Sequence, residues 1–206
     1  MSTVKTIEYS PLEFPESQIN RCEILRYMKC SASDEQIKSL IDKGIHECNG
    51  KLSYKIAYSV FELKKENEEL DLGFTKVKSR DLSKALIDCD SIILFAATIG
   101  LGIDRLILKY GRISPSLALC IQAIGAERIE ALCDRFSLDV KGNIVSYGKS
   151  PTPRFSAGYG DLPLELQREI FSTLACDKNI GLTLNDSLMM SPTKSVTAII
   201  GLKCLK

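Results

Sequence analysis

The chain has 206 residues, 45% of them apolar and 26% charged, which is enough to bury a core without a structural metal or disulfide staple. Its 27 Lys and Arg stand against 26 Asp and Glu, for a net charge of +1, and the pI is about 7.5. That balance argues against a broad basic face for nucleic acid and against electrostatic attachment to an anionic membrane.

The longest apolar run, Ile92 to Ala97, is strand-sized, far below the roughly 20 residues a bilayer needs. Met1 to Lys5 opens no apolar leader, so a cytoplasmic protein is expected. The eight cysteines are scattered without a CxxC pair, and His46 is the only histidine. Reduced, mostly buried thiols are the expectation, with no metal site.

In chain order, the first 20 residues hold Pro11 and Pro15 and read as an extended arm. Arg21 to Lys29 is a candidate short helix. Ser33-Asp34-Glu35-Gln36 has the form of a capping box. Apolar residues at Ile37, Leu40, Ile41 and Ile45 then follow helical spacing until Asn49-Gly50. Leu52 to Leu63 alternates as a strand. After the acidic turn Glu66 to Glu69, Gly73 to Lys78 is expected to pair back onto it. Ser79 caps a helix from Arg80 to Asp88. Ser91 to Thr98 is apolar on both sides, the pattern of a doubly covered strand.

Gly102 to Tyr110 is a short helix. Ser114-Pro115 opens the longest one, expected to end near Phe136, with proline suited to the first helical position. Lys141-Gly142-Asn143 reads as a turn into a strand, Ile144 to Tyr147. A Pro- and Gly-rich loop spans Gly148 to Gly160, and Asp161 is placed as the cap of a helix from Leu162 to Leu174. Strands from Leu182 to Met190 and from Ser195 to Leu202 close the chain. Mixed helices and hairpin connections predict an α+β fold, a mainly antiparallel curved sheet with packed helices, in one domain spanning residues 1–206.

Few residues suggest acid–base or nucleophilic chemistry, and no catalytic residue is assigned. Gly100 and Gly102 sit between a strand and a helix, where phosphate can bind. A nucleotide-binding enzyme is therefore one reading, although the third glycine of GxGxxG is replaced by Arg105 and no Walker lysine follows. His46 lacks the signature of a hydrolytic triad. The stiff loop from Pro151 to Asp161 is more informative. A preorganised Arg154 could grip a carboxylate through charge-assisted bonds, and the glycines let a ligand approach the backbone. The alternative is an ordered surface loop with Arg154 paired to a protein carboxylate.

Arg154-Phe155-Ser156-Ala157-Gly158-Tyr159 resembles the RxxxGY motif of the activation domain of cobalamin-dependent methionine synthase. Gly181 to Pro192 resembles that family's G-x-x-L-T-E-S-x-x-M-x-P stretch, Ser195-Val196-Thr197 the start of its last strand, and Ala126 to Phe136 its long helix. The likeness runs over about residues 114 to 202 and is only topological before that.

The resemblance implies a stand-alone reactivation module of a split synthase. It would bind S-adenosylmethionine and present the methyl group to cob(II)alamin on a partner, either a truncated methionine synthase or another corrinoid protein. A flavodoxin-like protein is the implied electron donor, and neither nucleic acid nor membrane is an expected partner. By motif, Arg154 would hold the ligand's carboxylate, with Ala157, Gly158 and Tyr159 shaping the pocket. Glu127 and Glu130 are the acidic candidates for its amino-acid end; a solvated or ion-paired helix face is the other reading of that pair. The family's Asp-Trp-x-Pro-Phe-Phe segment is missing, Ala157 replaces a proline, and Ile199 and Ile200 stand where the family places a tyrosine in the site. A non-catalytic corrinoid-protein interaction module with a degenerate pocket is the alternative implied function.

Overall fold

The computed structural model describes residues 3–31, 35–66, 69–145 and 147–205. The capping box proposed at Ser33 and Asp34 lies outside the described residues. The extended arm contributes strand β1 (Lys5–Tyr9), followed by two 3-10 turns; helices α1 (Arg21–Met28) and α2 (Glu35–Cys48) come next. Strand β2 (Tyr54–Glu62) leads to three short strands, β3 (Lys64–Glu66), β4 (Glu69–Asp71) and β5 (Lys76–Val77). Helix α3 (Arg80–Ala85), strand β6 (Cys89–Thr98), helix α4 (Gly102–Ile113) and the long helix α5 (Pro115–Val145) follow. The last part holds β7 (Lys149–Pro151), α6 (Gln167–Leu174), α7 (Cys176–Ile180), β8 (Thr183–Leu184), β9 (Met190–Ser191) and β10 (Ser195–Cys204).

The main sheet is antiparallel, in the order β1-β2-β6-β10-β7. Its central strand β6 is buried on both sides, as its unbroken apolar run predicts. Ile93, Phe95 and Ala97 face a core built with α1, α2, α4 and α5. Ile92, Leu94 and Ala96 face a second core that includes Leu82 of α3, Ile170 of α6 and Cys176 of α7. The result is a curved α+β sheet covered by helices on both faces.

Four sequence expectations change. Residues Gly73 to Lys78 do not pair with β2, because β1 and β6 already occupy its two edges. They supply β5 of a separate small sheet with β3 and β4. Helix α5 does not stop near Phe136. Val140 is buried in the core, and Asp139 accepts a 2.7 Å bond from the Tyr9 hydroxyl. These contacts carry the helix through Gly142 and Asn143, whose propensity cost of about 1 kcal/mol or less each is small by comparison. The strand predicted there forms later, as β7.

Leu182 to Met190 is not one strand. Leu188 N–H donates to the Asn185 carbonyl and Met189 N–H to the Asn185 side chain, at 3.0 and 2.9 Å. This folds β8 against β9 in a tight hairpin, while β10 pairs with β6 and β7 instead. Finally, Asp161 does not cap the helix that follows it. Its carboxylate accepts from the backbone N–H of Arg80 at 2.7 Å and of Asp81 at 3.2 Å, so it caps α3 together with Ser79.

Candidate functional site

The site forms where β10 loses its outer neighbour. Strand β7 covers β10 only at Leu202, Lys203 and Cys204. The chain then stays beside it through one further bridge: Phe155 N–H donates to the Ile199 carbonyl at 2.9 Å and Ile199 N–H to Phe155 at 2.8 Å. Beyond that bridge the loop turns away. Strand alternation points the backbone groups of Thr197 to the same side as those of Ile199, where β7 no longer reaches.

The gap is a cleft of about 440 Å³, within the usual range for small-ligand sites. Arg154, Phe155, Ser156, Ala157 and Tyr159 form one wall, and Ser195, Val196 and Thr197 form the floor along β10. Glu130 of α5, Gln167 of α6 and Met190 complete it. Helices on opposite faces of the sheet therefore both reach the same cleft.

The loop is held by its own backbone. Tyr159 N–H donates to the Ser156 carbonyl, Leu162 N–H to Tyr159, and Gly158 N–H to Leu162, at 3.2, 3.0 and 3.0 Å. Gly158 has φ +86°, a conformation that disfavours any side chain, and a Cβ there would press to 3.0 Å on Leu164. Its role is to set the bend rather than to line the cleft. Tyr159 is 69% exposed at the rim.

Arg154 is anchored from α5. Its Nη2 donates to Glu130 Oε2 at 3.1 Å and to Asp134 Oδ1 at 2.9 Å. Its Nη1 is buried with no hydrogen-bond partner. The guanidinium therefore keeps donor capacity alongside its ion pairs. Burial pushes the nearby Cys133 thiol up to about 12, against the opposing pull of Arg154.

Of the residues predicted for the site, Arg154, Ala157, Tyr159 and Glu130 come together in the cleft. Glu127 does not line it: 5% exposed, it forms a two-point ion pair with Arg128 and accepts from the Asn20 N–H at 3.0 Å. Ile199 and Ile200 are buried on opposite faces of the sheet, so neither fills the cleft. Sequence reasoning missed Gln167, Asp134 and Met190 as neighbours of the site. Gln167 carried no signal beyond being a polar residue on the apolar side of a helix.

The glycines at the other candidate site serve packing. A Cβ on Gly102 would lie 1.8 Å from the Lys51 carbonyl oxygen. The Lys51 backbone thus closes directly on this glycine. Among the described residues, no group of three or more His, Cys, Asp or Glu could hold a metal ion, and no helix is long and apolar enough to cross a membrane.

The fold and cleft define an α+β protein with an antiparallel sheet whose uncovered last-strand edge forms a ligand-sized site. Among solved structures, it is similar to one described as the crystal structure of the MetH reactivation domain bound to AdoHcy. The TM-score is 0.68 at 15% identity, covering 97% of this chain and 78% of that one. No family model matches the chain, and neither does any curated protein.

Proposed function

We propose that the cleft binds S-adenosylmethionine and that the protein acts as a stand-alone reactivation module, presenting the ligand's methyl group to a corrinoid on a partner protein. The observation that carries this reading is the placement of Arg154. It stands at the wall of a cleft of about 440 Å³ with one nitrogen unpartnered and two carboxylates beside it. One guanidinium flanked by carboxylates complements an α-amino acid, whose carboxylate pairs with Arg154 and whose ammonium pairs with Glu130. The fold shared with a domain bound to AdoHcy supports the same class of ligand.

When bound, the ligand supplies the sulfonium methyl group. This chain's residues hold and orient it. Arg154 and Glu130 fix the amino-acid end, the loop from Ser156 to Tyr159 shapes the rim, and the β10 edge offers backbone groups. Such positioning needs no nucleophile or general base from the protein. The cobalamin belongs to the partner, a truncated methionine synthase or another corrinoid protein, with a flavodoxin-like donor supplying the electron.

The test is calorimetric titration of wild type and Arg154→Ala with S-adenosylmethionine. The wild type is expected to bind, and the variant to lose about 1.5–3 kcal/mol, the worth of a hydrogen bond to a charged group. A silent wild type, or equal binding by both proteins, contradicts the reading.

A further inference from the structure

Gln167 is the first residue of α6 and only 5% exposed. Its carboxamide oxygen Oε1 is buried without a hydrogen-bond partner, and the side chain lines the cleft. An unpaired acceptor in the interior raises the free energy of the folded state, and natural structures rarely leave one without a reason. The polar groups around the cleft do not meet it. The Ser195 hydroxyl is used by Thr98 Oγ1 and the Pro192 carbonyl, at 2.9 and 2.8 Å. Arg154 is turned toward α5, on the other face of the sheet.

An amide oxygen accepts, so its partner must donate. A cationic donor is better served by the Glu130 carboxyl group, which lines the same cleft. What remains for Gln167 is a neutral N–H or O–H at the far end of the ligand from the amino acid. We infer that Gln167 is a specificity residue of the cleft, accepting a hydrogen bond from a neutral donor on the nucleoside end of the ligand, either a ribose hydroxyl or the exocyclic amine of adenine. This rests on the S-adenosylmethionine reading above. Its physical content is that a buried polar group built to meet a donor rejects analogues that lack it.

The experiment is a titration of three ligands into three proteins. The ligands are AdoHcy, its hypoxanthine analogue and its dideoxyribose analogue; the proteins are wild type, Gln167→Met and Gln167→Leu, each checked by thermal melting. The wild type should bind AdoHcy about tenfold more tightly than the analogue lacking the relevant donor. The variants should lose about the same factor against AdoHcy and nothing against that analogue. Variants that bind AdoHcy as wild type does, or that lose equally against all three ligands, overturn the inference and leave the ligand class standing. Equal wild-type affinity for all three ligands overturns it without reference to any variant. A wild type that takes up no AdoHcy removes both the ligand class and this inference.

Discussion

Arg154 Nη2 lies 2.9 Å from Asp134 Oδ1, yet Asp134 is outside the cleft that Arg154 lines. From behind the cleft wall, the carboxylate competes for the guanidinium with any ligand in the cleft. The Asp134 side chain is 69% exposed, so water screens the pair and its worth is small, about 0–1 kcal/mol.

Asp134→Asn should therefore leave stability within about 1 kcal/mol of wild type while freeing Arg154 for a ligand carboxylate. Affinity for S-adenosylmethionine should rise by up to about fivefold, the same energy expressed as binding. Glu130→Gln, which removes a carboxylate inside the cleft, should weaken binding. Calorimetry on the two variants reads the difference directly, and a fall in affinity for Asp134→Asn would show that its contact positions Arg154 for the ligand rather than competing with the ligand for it.

Glu127 and Arg128 make a different kind of pair. Their side chains are 6% and 3% exposed, and they tie helix α5 to the backbone of Asn20 and Gln18. Removing one partner strands a charge in the interior. Glu127→Ala should cost about 3–5 kcal/mol in urea denaturation. Replacing both residues by apolar ones of similar size should recover most of that, because neither charge is then left alone.

The sequence made most of this core legible. The doubly apolar run of β6, the Pro115 start of α5 and the alternation of β2 all point to the observed elements. What it could not show were effects of distant partners. The C-terminal turns of α5 depend on Tyr9, 130 residues from Asp139 in sequence, and no local pattern carries that contact. Asp161 has the chemistry of a helix cap, but nothing local says that the capped helix lies 80 residues upstream. In the site, the RxxxGY loop marked Arg154, Ala157 and Tyr159, while Gln167 became visible only when α6 was placed against the loop.

The capping role of Asp161 has a pH signature. Bonds from the Ser79 hydroxyl and the Arg80 and Asp81 amides hold its carboxyl below the usual value of 3.8. A depressed carboxylate stabilises the fold above its unfolded pKa, and that contribution is lost as pH falls through the lower folded one. Asp161→Ala should melt earlier than wild type at pH 7. The gap between the two melting temperatures should close as pH drops below about 3.8. A gap that stays constant with pH would mean that the lost contact is not ionic.

Thiol reactivity should follow burial. Loss of solvent pushes Cys48, Cys133 and Cys176 up to about 12. The exposed Cys204 is raised as well, by its bond to the Asp90 carboxylate. At pH 8 an alkylating reagent should modify the exposed Cys22 first and Cys204 more slowly, leaving the buried Cys48, Cys133 and Cys176 untouched. Denaturant should expose all eight. Peptide mass spectrometry assigns each site, and early labelling of Cys133 would show that the wall behind Arg154 opens.

The turn between β6 and α4 offers the sharpest test against a nucleotide site. Gly100 holds φ +78°, and a Cβ there would meet Ser53 Oγ at 2.4 Å; at Gly102 the clash is with the Lys51 carbonyl. Both neighbours belong to the segment joining α2 to β2, so the glycines let that segment close over the strand end. Backbone cannot yield as a flexible side chain can. Gly102→Ala should therefore destabilise by about 3 kcal/mol, at the upper end of overpacking costs. Nucleoside triphosphate should leave the melting temperature of the wild type unchanged, since a ligand raises it only by binding the folded state. A rise of several degrees with nucleotide would show that the folded chain binds it and would contradict a purely packing role for these glycines.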